Sequence, residues 1–143
     1  IFFPVLKIYG ASMTPTVNDG EIAVALKSRD FETGNVAALW YGNKLLVKRI
    51  IASPGQWVNI DADGNVFVDG QLLNEPYVFE KAFGDCNIEL PYQVPDGRYF
   101  VLGDQRSISQ DSRNTAVGCI EQEQIVGRLV FRVWPLKKAG KIK

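Results

Sequence analysis

The serine at position 12 is the residue of this sequence best suited to act as a nucleophile. It lies in the run G-A-S-M-T-P-T at 10–16, between an apolar segment and a turn at 18–20. Gly10 permits tight backbone geometry and the close approach of a substrate, while Pro15 fixes φ and limits how the loop can move. A serine in a Gly/Pro loop is most often a plain turn residue. Ser12 therefore becomes a candidate only if the chain also supplies a base.

The base has to be a residue other than histidine, because the sequence contains none. This absence excludes the Ser-His-Asp triad, the Cys-His dyad and every histidine-ligated metal site, and lysine is the obvious remaining candidate. On a strand, Lys48 would share one face with Leu46 and Ile50, and Arg49 would point to the other. One of the two charges would then sit among apolar neighbours. Burial lowers the pKa of a lysine and lets its neutral amine accept a proton, whereas arginine stays protonated. The alternative is an edge strand on which both charges reach water.

A polar segment at 103–113, G-D-Q-R-S-I-S-Q-D-S-R, could support this pair. It places two acids, two arginines and three serines directly after an apolar run. A solvated loop would explain this composition. The functional interpretation is a polar scaffold, in which Asp111 pairs with an arginine and a serine hydroxyl orients the base through a hydrogen bond.

Alternation of apolar and polar residues predicts the elements that must position these side chains. The predicted strands cover residues 21–27, 35–41, 44–52, 56–61, 65–69, 98–102 and 125–134. The G-N pair at 42–43 is a good two-residue hairpin turn, and residues 121–125 could form one helical turn. Short strands separated by turns predict an all-β barrel or paired sheets. We expect one domain over 1–143, with a core of about 5–72 and 96–136 and an irregular, proline-containing excursion at 73–95.

Composition and charge exclude several classes of protein. The 143 residues are 46% hydrophobic and 22% charged, as in an ordinary globular domain, and no apolar window is long enough to span a membrane. Sixteen basic residues balance sixteen acidic ones, which argues against nucleic-acid binding. Four lysines in the last seven residues form either a solvated end or a surface attracted to anionic lipids. We expect no metal and no cofactor.

The two cysteines, Cys86 and Cys119, permit one intramolecular disulfide. Neither lies in a C-x-x-C motif, so neither zinc binding nor thioredoxin-type chemistry is indicated. A disulfide and a pair of free thiols both remain open.

Taken in order, the three segments resemble the sequence motifs, called boxes, of type I signal peptidases. Those boxes are G-x-S-M-x-P-T, an apolar run with K-R and a following P-G, and G-D-N-R-x-x-S-x-D-S-R. The I-V-G at 125–127 and the W-P at 134–135 are similar to the last box, so the resemblance covers about residues 5–136. It implies a signal-peptidase/LexA-like β fold of short antiparallel strands. The implied activity is that of a membrane-associated serine endopeptidase, which removes signal peptides from secreted preproteins after Ala-x-Ala.

The resemblance also implies a role for each matching residue. Ser12 would attack the scissile carbonyl after Lys48, as a neutral base, has taken its proton. Ser109 would hydrogen-bond the lysine amine and hold it toward the nucleophile. Asp111 and Arg113 match the structural ion pair that lies beneath the site in this family.

Two further positions match the family and two depart from its pattern. Gly103 and Asp104 would shape the loop of the third box. Gly10 stands where some members have a serine that helps to stabilise the oxyanion, as in the subgroup typical of Gram-positive bacteria. The backbone N–H of Ser12 would be one oxyanion donor, and the second donor is left open. Gln105 replaces the usual asparagine of G-D-N-R, and we expect little effect.

The implied substrate is an extended signal peptide that adds as a strand beside the catalytic strands. The candidates for its shallow subsites flank the catalytic pair in sequence: Ile8, Gly10, Met13, Val17, Leu46 and Val47. Core packing is the alternative for each apolar one. An apolar surface with Phe2, Phe3 and a tryptophan would rest on the membrane lipid surface. We expect a membrane anchor upstream of Ile1 and a catalytic domain on the extracytoplasmic face of the cell membrane.

Other proteins would account for parts of this pattern. The self-cleaving domains of LexA-type repressors also place a serine after a glycine and a lysine on a later strand, but they lack the third box. Organellar or conjugation maturation proteases would use the same chemistry on other substrates. A catalytically inert pilus-assembly relative would act as a binding module, although the presence of both Ser12 and Lys48 argues against it.

Overall fold

The computed structural model describes residues 3–143, and these residues form an almost entirely β structure. The strands are β1 (Val5–Lys7), β2 (Ile22–Leu26), β3 (Val36–Tyr41), β4 (Lys44–Ala52), β5 (Trp57–Ile60), β6 (Val66–Val68), β7 (Gln71–Leu72), β8 (Tyr92–Gln93), β9 (Arg98–Leu102), β10 (Ile120–Glu121), β11 (Ile125–Trp134) and β12 (Gly140–Lys141). Two single-turn 3₁₀ helices lie at Gln122–Gln124 and Leu136–Lys138. No helix of the described residues is long and apolar enough to cross a membrane. The prediction of an all-β fold is confirmed, while the expected contribution of Phe2 to an apolar surface lies outside the described residues.

The strands are arranged in two antiparallel sheets. The larger sheet has the order β1-β2-β11-β3-β4-β9-β10, with β12 also paired to β11, and the smaller has the order β7-β6-β5-β8. The longest strands, β4 and β11, lie inside the larger sheet, where each pairs with a strand on both of its edges. The predicted hairpin between β3 and β4 is present, and Gly42 in its turn has a φ of 61°, which favours glycine.

Apolar clusters join the sheets and anchor the loop that carries Ser12. Ile51 and Phe100 of the larger sheet pack against Val58 of the smaller one in a shared core. A second cluster lies under the 10–16 loop, where Met13 and Val17 are buried. The serine loop is therefore fixed from below by its own apolar neighbours, while Ser12 itself is only partly buried.

The smaller sheet extends across the position at which the irregular excursion was expected to begin. Its strand β8, at Tyr92–Gln93, pairs with β5, so the expected boundary at residue 73 falls inside this sheet. Residues 73–91 between its last two strands contain no strand, whereas β8 lies inside the range 73–95 that was expected to be an irregular excursion. Strands of two residues, such as β7 and β8, are too short to show alternation in the sequence.

The structure bears on the alternatives left open for the basic end of the chain and for the two cysteines. The end is not a free solvated tail, because β12 pairs with Phe131 and Arg132 of β11. The lysine side chains around it are nevertheless exposed. Cys86 and Cys119 are both free thiols, which decides between the two alternatives left open above.

Candidate active site

Ser12 and Lys48 line the same cleft, which has a volume of about 440 Å³. Its other walls are formed by Ala11, Tyr41, Lys44, Leu46, Ile108, Gln110, Ala116 and Val117. Most of these side chains are apolar and none is a carboxylate. The cleft can therefore receive a largely apolar, extended chain next to one hydroxyl and one amine. No group of described residues is arranged to hold a metal ion.

The amine of Lys48 is buried inside the larger sheet. Lys48 lies in β4 opposite Ala37 of β3, and only 3% of its surface is exposed. Its Nζ donates a hydrogen bond of 3.1 Å to Ser109 Oγ. Burial lowers the pKa of Lys48 from its ordinary value of 10.5, the nearby Asp111 carboxylate opposes this shift, and Arg113 lowers the pKa further. The surroundings thus favour a neutral amine that can accept a proton.

The buried carboxylates near Lys48 are paired with arginines, so none of them forms an ion pair that would stabilise the protonated lysine. Each fully buried arginine already has an acidic partner: Arg49 with Asp104, Arg106 with Glu75 and Arg113 with Asp111. Within the described residues, Lys48 is in no ion pair. A protonated Lys48 would consequently be a buried charge without a partner of its own, which is strongly unfavourable.

The sequence predicted that one of the two neighbouring charges would be buried, and in fact both are. Arg49 is 1% exposed and points to the opposite face from Lys48. Its Nε and Nη2 donate to Asp104 at 3.0 and 2.6 Å, and its guanidinium lies 3.6 Å from the centre of the Tyr77 ring. Arginine tolerates burial here because it has its own carboxylate. The alternative of an edge strand with both charges in water is wrong.

The loop of Ser12 is bound to the 103–113 segment through its backbone. The N–H of Gln105 donates to the carbonyl oxygen of Ser12 at 2.8 Å, and the N–H of Asp104 donates to Met13 Sδ at 3.4 Å. At position 105 it is the backbone that holds the serine loop, so the exchange of asparagine for glutamine leaves this bond in place. Among residues 3–143, no acceptor engages the N–H of Ser12, which is free to donate.

Gly103 fills the narrow space between the two serines of the site. A Cβ added at this position would overlap the side chain of Ser109 and would lie 2.6 Å from the carbonyl oxygen of Ser12. Its N–H donates to Asp111 Oδ2 at 3.0 Å. Glycine is therefore required for the close approach of the serine loop and the polar segment.

Asp111 and Arg113 form the ion pair expected beneath the site. Arg113 donates from Nε and Nη2 to the two carboxylate oxygens of Asp111, at 2.8 and 2.9 Å. Its Nη2 also donates to the carbonyl oxygen of Ser109 at 3.2 Å, and its Nη1 donates to that of Phe83 at 2.9 Å. This pair connects the backbone of Ser109 to the irregular segment of the smaller sheet.

The residues expected to line the subsites are divided between the cleft and the core. Leu46 lines the cleft beside Lys48. Ile8, Met13 and Val17 are at most 3% exposed and pack in the core under the serine loop, where Val47 also contacts them. None of these four residues lines the cleft, and their packing corresponds to the core-packing alternative.

Gly10 is exposed, and its backbone is engaged elsewhere. Its N–H donates to Asp19 Oδ1 at 2.8 Å. The φ of Gly10 is 85°, a conformation that a residue with a side chain rarely adopts. This amide is thus not free to act as an oxyanion donor in the described conformation.

Tyr41 and Lys44 form one end of the cleft, and the sequence interpretation missed both. They are paired across the β3–β4 hairpin, on the same face as Leu46 and Lys48. The hydroxyl of Tyr41 donates to the carbonyl oxygen of Ala116 at 2.6 Å and so bridges the hairpin to the loop after the polar segment. The register set by the two-residue turn at 42–43 was the signal that could have identified them.

One edge of β4 is open beside the cleft. Along its other edge β4 pairs with β3 from Lys44 to Arg49, whereas β9 pairs only with the part of β4 from Arg49 onward. Within the described residues, the stretch 44–48 therefore has no strand partner on the β9 side. An extended peptide can add there through main-chain hydrogen bonds.

A two-sheet β fold with a serine on the wall of a cleft, next to an open strand edge, is the arrangement expected of a serine peptidase. The family described as signal peptidase, peptidase S26, matches residues 1–134. Signal peptidase IB of Staphylococcus aureus is 38% identical over 152 residues, which cover 92% of this chain and 78% of that protein. Signal peptidase I of Bacillus licheniformis is 33% identical over 157 residues, covering 99% of this chain and 81% of that protein.

A solved structure gives the same assignment. The crystal structure of a signal peptidase I from Enterococcus faecalis V583 superposes with a TM-score of 0.60 at 26% identity, over 70% of this chain and 97% of that chain. The chain belongs to the signal peptidase family, peptidase S26, and is a serine-type endopeptidase of the signal peptidase I kind. The resemblance stated from the three sequence boxes is confirmed, including its similarity to the Gram-positive subgroup.

Proposed function

We propose that this chain removes signal peptides from secreted preproteins with Ser12 as the nucleophile and neutral Lys48 as the general base. The observation that carries the proposal is the burial of the Lys48 amine on the cleft that Ser12 also lines, with a hydrogen bond to Ser109 and, among residues 3–143, no ion pair. A lysine can act as a base only when it is neutral. The relatives reported above are all signal peptidases, and none is a LexA-type repressor, a maturation protease or a pilus-assembly protein.

The reaction follows from these two groups. Ser12 Oγ attacks the scissile carbonyl carbon while Lys48 Nζ takes the hydroxyl proton. The oxyanion accepts a hydrogen bond from the N–H of Ser12. As the C–N bond breaks, the ammonium of Lys48 returns its proton to the departing amine, which becomes the N-terminus of the mature protein. Lys48 then takes a proton from water, and the hydroxide attacks the carbonyl carbon of the acyl-enzyme. As the ester bond to Ser12 Oγ breaks, the ammonium of Lys48 returns this proton to the serine oxygen, and the signal peptide leaves with a free carboxyl group.

The open edge of β4 supports an Ala-x-Ala specificity. A peptide added beside residues 44–48 is extended, so its side chains alternate between the enzyme and the solvent. Residues one and three positions before the scissile bond then face the cleft, and the residue between them faces away. The cleft of about 440 Å³ is lined by Ala11 and Leu46, and we expect small apolar side chains at the two inward positions.

Exposed apolar side chains on the β1-β2-β11 side of the larger sheet support association with a lipid surface. They are Phe3, Val5, Tyr9, Phe131, Trp134 and Leu136. Aromatic residues favour the membrane–water interface, and Lys137 and Lys138 follow them in the sequence and can contact anionic headgroups. We place this domain on the extracytoplasmic face of the cell membrane, where signal peptides emerge.

Cleavage of a fluorogenic peptide with an Ala-x-Ala recognition segment, in detergent, tests the proposal. Ser12→Ala and Lys48→Ala should abolish turnover. Lys48→Arg should be inactive as well, because arginine keeps the charge but cannot become neutral. Lys27→Arg, at an exposed position, is the matched control and should be fully active. Cleavage by Ser12→Ala or by Lys48→Arg at a rate near that of the wild type would rule out the assigned roles.

A further inference from the structure

A buried carboxylate in the irregular segment after β7 contacts the polar loop of the active site. Glu75 is 5% exposed, although it lies in a stretch without strands. Arg106 donates to it from Nη1 and Nη2, at 3.1 and 2.6 Å, and the side chains of both residues are 1% exposed. A bidentate pair of this kind fixes orientation as well as distance.

The first path from Glu75 to the catalytic groups runs through the loop 103–109. Arg106 Nε donates to the carbonyl oxygen of Gly103 at 2.8 Å, so the guanidinium held by Glu75 also holds the beginning of the loop. Within that loop, the N–H of Ser109 donates to the carbonyl oxygen of Gln105 at 3.0 Å. The same loop donates to the backbone of Ser12 and carries the hydroxyl that contacts Lys48.

The second path runs through Tyr77 to the residue next to the base. The hydroxyl of Tyr77 donates to Glu75 Oε2 at 2.7 Å. Burial first, and the charge of Glu75 next, raise the pKa of Tyr77, so this hydroxyl stays protonated and remains a donor. The Tyr77 ring lies under the guanidinium of Arg49, which directly follows Lys48 on β4.

We propose that Glu75 is a positioning residue for the peptidase reaction. Through Arg106 it fixes the loop 103–109, and through Tyr77 it supports Arg49, so that Ser109 stays within hydrogen-bonding distance of Lys48. The irregular segment after β7 is thus part of the catalytic framework. This inference rests on the function proposed above, in which Lys48 is the base and Ser109 orients it.

The variant Glu75→Gln tests this role because glutamine keeps the shape of the side chain and removes its charge. The guanidinium of Arg106 then loses its ionic partner in the interior, and the loop it holds is free to shift. We expect kcat per active site to fall about 10–100-fold, the usual cost of losing an orienting contact, while KM changes less than about threefold. Glu121→Gln is the matched control, because Glu121 forms a 2.8 Å ion pair with Arg98 that is about half exposed, and it should retain full activity.

Two readouts separate positioning from a purely structural role. The rise of kcat/KM with pH follows the loss of the proton from Lys48. A displaced loop admits water to the amine, reduces its desolvation and raises its pKa, so this limb should move to higher pH in Glu75→Gln. In a double-mutant cycle, Glu75→Gln should cost much less in a Ser109→Ala background, because both changes remove the same contact.

The outcomes distinguish this inference from the proposed function. Active sites are counted with a serine-acylating inhibitor, so that a loss of folded protein does not count as a loss of kcat. Three results would each overturn the role of Glu75. They are a wild-type kcat per active site in Glu75→Gln, a rise of kcat/KM at the same pH as in the wild type, and full additivity of Glu75→Gln with Ser109→Ala. If Ser12→Ala cleaves the peptide, the proposed function fails instead.

Tyr77→Phe keeps the test decisive if Glu75→Gln does not fold. It removes one hydrogen bond to Glu75 and retains the ring under Arg49. We expect a smaller fall in kcat per active site, about 3–10-fold, with the same direction of the pH shift. An unchanged kcat and an unmoved pH limb in this variant would likewise overturn the inference.

Discussion

Gly103→Ala should lower kcat because its added methyl group would displace groups of the catalytic site. The added methyl group would overlap the side chain of Ser109 and lie 2.6 Å from the carbonyl oxygen of Ser12. The φ of Gly103 is outside the left-handed region, so alanine can adopt the backbone conformation. The cost therefore comes from the neighbours that have to move, and these are the two serines of the site.

The size of the displacement follows from the contact distance. Carbon and oxygen in weak contact are about 3.3–3.6 Å apart, so the carbonyl oxygen of Ser12 must move by about 0.7 Å or more. Catalytic groups have to be held within about 0.5 Å of their productive geometry, and a misplacement of about 1 Å can cost about 100-fold. We expect kcat to fall about 10–100-fold, with a loss of about 1–3 kcal/mol in the free energy of unfolding, as in other overpacked interiors.

Gly127→Ala provides the matched control for this prediction. Its added methyl group would lie 2.7 Å from the carbonyl oxygen of Leu26, at the junction of β11 and β2, which does not line the cleft. We expect a similar loss of stability and an unchanged kcat. Denaturant unfolding gives the first quantity, and turnover of the Ala-x-Ala peptide per titrated active site gives the second.

The comparison of the two glycines has clear refuting results. If Gly103→Ala keeps kcat within about threefold of the wild type, the contact does not position the catalytic serines. If Gly127→Ala loses as much kcat as Gly103→Ala, the effect reflects general destabilisation and not the geometry of the site.

Two further predictions concern the base and the residue that orients it. Ser109→Ala should retain folding and lose about 10–100-fold in kcat; turnover equal to that of the wild type would show that the 3.1 Å bond to Lys48 does not orient the amine. Because the folded pKa of Lys48 lies below its ordinary value of 10.5, the unfolded chain binds more protons between these two values, and the native state loses stability as the pH falls through that interval. Lys48→Met lacks this group, so its stability relative to the wild type should rise as the pH falls below 10.5, by about 1.4 kcal/mol for each unit of the shift. A difference in unfolding free energy that does not vary with pH would contradict the burial of the amine.

The long strands could be predicted from the sequence because their periodicity is local. The predicted ranges 21–27, 44–52 and 125–134 differ from β2, β4 and β11 by at most one residue at either end. The two-residue strands contain too few residues to show a period, and they form because a neighbouring strand offers hydrogen bonds. The smaller sheet was missed as a unit for this reason.

The charges of the site could be predicted only in part, because their partners lie far along the chain. Alternation on β4 indicated that one of the two charges, Lys48 or Arg49, would be buried among apolar neighbours. It gave no sign that both would be buried, since Asp104, the partner of Arg49, is 55 residues away in sequence. Glu75 went unnoticed for the same reason, because its partner Arg106 lies 31 residues later. The predicted subsite residues were chosen by their nearness in sequence to Ser12, and nearness in sequence does not distinguish a cleft wall from the core beneath it.

The open edge of β4 also creates a risk of aggregation, which is separate from catalysis. Unpaired N–H and C=O groups on a strand edge can bind any extended chain, including the same strand of another molecule, and such pairing leads to aggregation. Charged side chains, and lysine in particular, discourage this pairing, and exposed Lys44 stands at the outer end of the open stretch. An edge that has to stay accessible cannot be covered by another strand, so its solubility depends on this charge.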